Sequence, residues 1–366
     1  GIPASHVLVD APVVLPQISG EEWKPQNFTD EFLGPLTIRE GLRRSINMVA
    51  IKLGLEVGLE TVAQTAQRMG LRTEIERFPS TAIGAAEVIP IQMAEAYSTL
   101  ANLGTRVRPQ PILRVTNPEG EVLWEPQPER TQVLDSLTAR IVVSMLEDVV
   151  AQGTGYNVRA PDRGGLSYEV PAAGKTGTTN DATNVWFMGF TPNLMAAVWF
   201  GLDRPVTIWD IPGAGGATGG GDAAPVWGKF MHRIYFGDST QVYADSVFNA
   251  RMYGSDAITA QERAEFALDD PESVQNDEGP DSMPLKGFLL PIPDEWPILP
   301  GLVTRQVDNR SGLLASRWCP ADSAYTELFL PGTEPTELCD QTGFRIRRNP
   351  KPEHRNPKPE RRNPKP

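Results

Sequence analysis

The sequence predicts an α+β fold, mixed layers in which helices flank a run of consecutive antiparallel strands. Three observations carry that reading. Apolar residues recur at helical spacing over 90–103 and again over 137–151. Three strand-length runs follow one another at 172–178, 184–190 and 194–200, the last two joined by the tight turn Thr191-Pro-Asn193. A further helical pattern then begins near Ala223.

The elements can be justified in chain order. Thr37-Ile-Arg-Glu40 has the Thr-x-x-Glu form of a capping box. The helix it opens should be short, because Ser45 and Asn47 favour a break. Val62, Ala63, Ala66 and Met69 have helical spacing, and Gly70 can end that helix. Pro90 suits a first helical turn; Ile91, Ala94, Tyr97 and Ala101 then share one face before Gly104. Val107 to Trp124 reads as a hairpin turning at Asn117-Pro-Glu-Gly120. In the next helix Ile141, Met145, Val149 and Val150 point inward, and the helix after the strands carries Val226, Trp227, Phe230 and Met231. Tryptophans 186, 199 and 227 read as core residues. The glycine run Gly213 to Gly221 lacks the Gly-Lys-Ser/Thr of a phosphate loop and reads as a mobile loop.

Composition bounds the function. With 366 residues and 40% apolar content the chain can build a sizeable core. A net charge of -12 argues against a nucleic-acid binder, so no nucleic-acid partner is expected. The three histidines (His6, His232, His354) and two cysteines form no zinc-ligand spacing, so neither metal nor cofactor is expected. No apolar run approaches the ~20 residues of a membrane span. The longest, Val185 to Leu202, is broken by Thr191, Pro192 and Asn193.

Charge and proline divide the chain. A first domain spans 1–250 and an acidic linker 251–281, whose stretch 262–281 holds eight acidic residues and one basic, Arg263. A small β-rich extension covers 282–345, with a hairpin signal from Leu302 to Ser316 that turns at Asn309-Arg-Ser-Gly312. Cys319 and Cys339 fall in it, either as two free thiols or, in an outward-facing location, as a disulfide. The tail 346–366 repeats Arg-Asn-Pro-Lys-Pro and reads as disordered and basic. From Arg345 onward the charge is +7, leaving -19 for the rest.

Two motifs point to chemistry. Lys175-Thr176-Gly177-Thr178-Thr179 closes a predicted strand. Gly177 would let an extended peptide approach the strand, Lys175 would supply a fixed positive charge, and Thr176 and Thr178 hydroxyls. The alternative is a hairpin with a solvated lysine. Ser45-Ile46-Asn47 follows the capped helix. A Ser-x-Asn tripeptide alone arises about once in a chain of this length.

Together these segments resemble the transpeptidase domain of the penicillin-binding proteins, whose motifs are Ser-x-x-Lys, Ser-x-Asn and Lys-Thr-Gly. The resemblance extends to Gly34-Pro-Leu-Thr-Ile-Arg-Glu-Gly-Leu42, to Trp186-Phe187 with Gly189 and Thr191-Pro192, and to Ala224-Pro-Val-Trp227. It covers most of 1–236 and is nearest the bifunctional class, in which a glycosyltransferase domain comes first. Asn184 stands where an aspartate is common, and Gly155 where an alanine often follows Gly-Thr.

The resemblance implies the penicillin-binding protein/β-lactamase-like transpeptidase fold. It also implies serine acyl transfer on the D-Ala-D-Ala stem peptides of peptidoglycan, and β-lactam binding. Ser45, Asn47 and Lys175 would be catalytic, and Thr176, Gly177, Thr178 and Thr179 would bind substrate. It implies a glycosyltransferase part, a membrane anchor and a place at the periplasmic face of a bacterial inner membrane. No serine in the sequence has a lysine three residues on, so the chain is expected to start just after its nucleophile and to be inactive and marginally stable alone. Two rivals remain: a non-catalytic module that holds wall peptides or partner proteins, and a serine β-lactamase-like hydrolase.

Overall fold

The computed structural model describes residues 1–16, 22–208, 216–237, 289–320 and 322–339. The acidic linker and the basic repeat tail lie outside the described residues.

The chain opens with β1 (Val7–Asp10), β2 (Leu15–Pro16), β3 (Glu22–Trp23) and β4 (Gly34–Thr37), of which β1 pairs with β4 and β2 with β3, each antiparallel. Three helices follow: α1 (Ile38–Arg43), α2 (Asn47–Val57) and α3 (Leu59–Met69). The Thr37 hydroxyl caps α1 by accepting from the Glu40 N–H at 3.2 Å. Only that half of the capping box forms, because the Glu40 carboxylate turns instead to Arg43 and Arg44. Gly70 ends α3.

Helix α4 (Pro90–Ala101) leads into β5 (Thr105–Val107), β6 (Val115–Thr116), β7 (Val122–Trp124) and β8 (Arg130–Gln132). β6 and β7 form the hairpin around Asn117–Gly120, while β5 pairs with β8. α5 (Ser136–Gln152) is capped by the Asp135 carboxylate, which accepts from the Thr138 N–H.

The central sheet is built from β9 (Ala173–Thr178), β10 (Asn184–Phe190) and β11 (Met195–Gly201), antiparallel in the order β11-β10-β9. Its two faces bury separate clusters, as the two-residue period of a strand requires. Val185 and Phe187 pack on Trp227 and Met231 of α6 (Ala224–Phe236). Phe190 packs on the other face with Leu100 of α4, Val143 and Leu146 of α5, and Trp296. The central strand is therefore covered by helices on both sides.

One helix face differs from the sequence reading, and a second shows which of its apolar residues go inward. In α4 the buried residues are Gln92, Glu95, Ala96, Thr99 and Leu100, while Ile91 is exposed. The Glu95 carboxylate can be buried because Arg72 and Arg106 both pair with it, at 2.8 and 3.1 Å. In α6 Trp227 is buried as expected, together with Met231, while Val226 and Phe230 of the same apolar set are exposed.

The C-terminal region is joined to this body. Trp296 sits edge-on against Phe190 and donates from Nε1 to the Ala101 carbonyl. Arg140 donates to the carbonyls of Trp296 and Pro297. Beyond it, β12 (Val303–Asp308) pairs with β13 (Ala324–Phe329). The turn after Asp308 forms as read, but the returning chain meets β12 at an isolated bridge, Val307 to Leu314, with a second bridge from Leu314 to Leu338, and β13 supplies the main partner. Cys319 and Cys339 are joined in a disulfide.

Candidate active site

Ser45 owes its place to the way α1 ends. The Ser45 N–H donates to the Leu42 carbonyl at 3.1 Å and the Ile46 N–H to the Gly41 carbonyl at 2.8 Å. That pair of bonds is a Schellman motif, whose turn residue adopts the left-handed conformation. Ser45 adopts it, with φ 58°, where glycine is the usual occupant. Asn47 then opens α2 and donates from Nδ2 to the Gln26 carbonyl at 2.8 Å.

Lys175 reaches the same point from β9. Its ammonium donates to Ser45 Oγ at 2.8 Å and to the Thr176 carbonyl at 2.9 Å. Burial of this side chain pushes its pKa down from 10.5 to about 8, because desolvation disfavours the charged form. Near neutral pH the group is thus still mostly charged, yet gives up its proton far more readily than a surface lysine.

The next residues of β9 are held from the side. Thr176 Oγ1 lies 2.7 Å from Thr154 Oγ1, just past the end of α5, and the Thr154 N–H donates to the Arg43 carbonyl of α1 at 3.2 Å. Thr178 Oγ1 accepts from the Gly219 N–H at 2.9 Å. A Cβ at Gly219 would lie 2.6 Å from the Trp186 carbonyl oxygen and 2.7 Å from that of Gly177, so only glycine fits against the strand. Gly177 lines the cleft beside Trp186. Thr179 sits in the β9–β10 turn, where its hydroxyl accepts from the Thr183 and Asn184 N–H groups.

Ser45, Asn47, Lys175, Thr176, Gly177, Thr178 and Thr179 all line one cleft of about 2450 Å³. Thr154, Gly219 and Gln26 support it, though none of them belongs to the two motifs that point to chemistry. Gly153-Thr154-Gly155 offered a hint, since glycines on both sides permit a close backbone crossing. Gly219 and its neighbours, read as mobile loop, instead form a helical turn, Gly219–Ala223, pressed against β9 and β10; residues 213–215 of that run lie outside the described residues. Trp227 is buried as expected, but Trp186 is half-buried and Trp199 43% exposed, their rings tilted against each other at the cleft, with Trp199 donating to Asn184 Oδ1.

The arrangement can do two things. A lysine charge beside two threonine hydroxyls suits an anionic group such as a carboxylate. A serine hydroxyl bonded to a lysine of lowered pKa can carry a proton to or from a reacting atom. Asp308, Cys319 and Cys339 bring metal-ligating atoms together elsewhere, but both sulfurs are committed to the disulfide.

The family model described as penicillin binding protein transpeptidase domain matches residues 14–232. The chain belongs to the penicillin-binding protein transpeptidase family. A second model, penicillin-binding protein 1A, C-terminal domain, matches residues 299–343. Penicillin-binding protein 1A of Neisseria flavescens is 35% identical over 239 residues, and that of Aquifex aeolicus 35% identical over 229. Each alignment covers 63% of this chain, which spans 29% of the length of those curated relatives.

Among solved structures, penicillin-binding protein 1A from Haemophilus influenzae matches with a TM-score of 0.67 and 22% identity, over 92% of this chain and 46% of that one. The PonA1 protein of Mycobacterium tuberculosis in complex with penicillin V matches with a TM-score of 0.54 and 25% identity, over 65% of each chain. The fold is thus that of penicillin-binding protein transpeptidase domains, with mixed helices and antiparallel sheet. Both the Ser45-Ile46-Asn47 and Lys175-Thr176-Gly177 segments fall inside the transpeptidase match.

Proposed function

We propose that this chain supplies the substrate-binding and proton-relay half of a peptidoglycan D,D-transpeptidase site, and that the acyl-accepting serine belongs to a segment outside these 366 residues. The observation that carries the reading is the 2.8 Å contact between Lys175 Nζ and Ser45 Oγ, which joins two motif segments of the family at one end of a cleft.

In this reading the terminal carboxylate of a D-Ala-D-Ala peptide lies against Lys175, Thr176 and Thr178. A serine oxygen attacks the carbonyl of the penultimate residue and gives up its proton to an adjacent base. The carbonyl oxygen becomes an oxyanion, and the Thr178 N–H is one donor to it, a role worth about 3 kcal/mol where such donors have been removed. The C–N bond then breaks. Ser45 hands a proton to the departing amine and is restored through Lys175, which its lowered pKa suits. Asn47 orients the peptide backbone. An amine of a second strand takes up the acyl group, releasing the serine. A β-lactam follows the same path to a stable ester. In this reading the reaction takes place at the periplasmic face of a bacterial inner membrane, the setting that the family resemblance implies.

Support for the missing segment comes from the cleft itself. Its volume exceeds the ~300–1,000 Å³ of an ordinary ligand pocket. Beyond Ser45 its walls are apolar, from Ile38, Leu42, Val49, Leu53, Ile141 and Met145, which suits packing against a helix rather than a solvated peptide.

The test is covalent labelling with a fluorescent penicillin, read after denaturation. The 366-residue chain should remain unlabelled, and the chain extended upstream as its gene encodes it should label. An adduct on the shorter chain would overturn the reading. Failure of the longer chain to label would favour a non-catalytic module.

A further inference from the structure

We propose that Glu327, in the C-terminal hairpin, is a positioning residue for the Ser45 turn and acts through Arg39 of α1. The inference rests on the transpeptidase reading for its consequence, but its geometry stands independently. Helix α1 has only six residues, too few to hold itself in place, so tertiary anchors decide where its end points. Arg39 is the principal anchor. Its Nε donates to Glu327 Oε2 at 2.7 Å and its Nη2 to Glu327 Oε1. The remaining donors go to Asp148 Oδ2 at 2.7 Å, Ser144 Oγ at 2.7 Å and the Ser144 carbonyl at 3.0 Å. All five guanidinium N–H groups are thus used, on a side chain that is 7% exposed.

Glu327 is fully buried, at 0% exposure. Its carboxylate also accepts from the Tyr325 hydroxyl at 3.1 Å, and the Tyr325 ring faces the Arg39 guanidinium at 5.7 Å. A buried pair of this kind adds little stability over an apolar pair of equal volume. What a two-point fork adds is direction, since it fixes the plane and rotation of the group it holds. Here the group held is the first turn of α1, and the last turn of α1 sets the Schellman bonds that put Ser45 Oγ on Lys175 Nζ. The residues that directly follow Glu327 in the same strand, Leu328 and Phe329, and Leu330 just beyond it, line the same cleft. The C-terminal hairpin therefore bears on the site twice, through these cleft residues and through the hold of Glu327 on Arg39.

Two measurements test this. The first is the acylation of the upstream-extended chain by a fluorescent penicillin, with rate constant and final amplitude read separately. Glu327→Gln should lower the rate constant at least tenfold while most of the amplitude remains. Val307→Ala, which removes buried volume from the neighbouring strand β12, should lower the melting temperature and leave the rate constant within about twofold. The double variant Arg39→Met/Glu327→Leu should melt close to wild type and still react slowly. A loss of amplitude at unchanged rate in Glu327→Gln, or wild-type rate in the double variant, would overturn the proposal, because either marks a merely structural pair.

The second measurement needs no acylation. Amide hydrogen exchange on the 366-residue chain should speed at least tenfold at Ser45 and Ile46 in Glu327→Gln, with the amides of β9 unchanged. Unchanged exchange at Ser45 and Ile46 would overturn the proposal. If wild type fails to label while exchange responds as stated, the transpeptidase reading fails and the positioning role survives.

Discussion

Lys175 Nζ donates to Ser45 Oγ at 2.8 Å, although the two residues stand 130 positions apart in the chain. The contact exists because the end of a short helix and the inner part of a strand are each held by other residues. Its chemistry depends on the proton that Lys175 carries.

Ligand binding should therefore depend on pH. With its pKa pushed down to about 8, Lys175 loses its charge as pH rises through that value. The affinity for a D-Ala-D-Ala peptide should be level below pH 8 and weaken by up to about tenfold per pH unit above it. NMR titration at several pH values measures this, and Lys175→Met should abolish the dependence. Stability should move the other way. Between about 8 and 10.5 the unfolded chain binds the proton that the folded chain has lost, so the wild-type melting temperature gains a contribution as pH rises through that window.

Gly219→Ala should damage the site from behind. The new Cβ would meet backbone atoms of Gly177 and Trp186 below 3.0 Å, and backbone cannot swing aside as a side chain can. A cost of about 1–3 kcal/mol is expected, with loss of the Gly219 N–H bond to Thr178. Thermal unfolding and peptide binding should both report it. A variant that melts and binds as wild type would show that the turn is not pressed against β9.

Trp296→Ala should destabilise the whole body, not just the C-terminal region. The side chain is buried between Phe190 and the end of α4, and such truncations cost about 3–5 kcal/mol. A single cooperative transition at lower denaturant concentration is expected. Two transitions, with the body unchanged, would contradict the packing described.

These relationships differ in how far the sequence revealed them. The Lys175 strand, the short helix ending at Ser45 and the central three strands were legible, because each rests on local signals: alternation, a cap and a turn. The buried face of α4 was not, since Glu95 goes inward only with Arg72 and Arg106, which approach from other elements. The same holds for Arg39 and Glu327, separated by 288 positions. Trp199 read as core because aromatic residues in strands usually are; its place at the cleft rim goes with its strand, β11, which among the described residues pairs on one side only. Thr154 gave a weak signal between two glycines, and its role appears only once α5 meets β9.

The central claim is that Ser45 and Lys175 form a working proton relay. The most direct measurement is the rate constant for acylation by a fluorescent penicillin in the upstream-extended chain, compared among wild type, Ser45→Ala and Lys175→Ala. The account predicts that both variants fold, keep the overall structure and react about 10²–10⁴-fold more slowly. Acylation of either variant at the wild-type rate would contradict it.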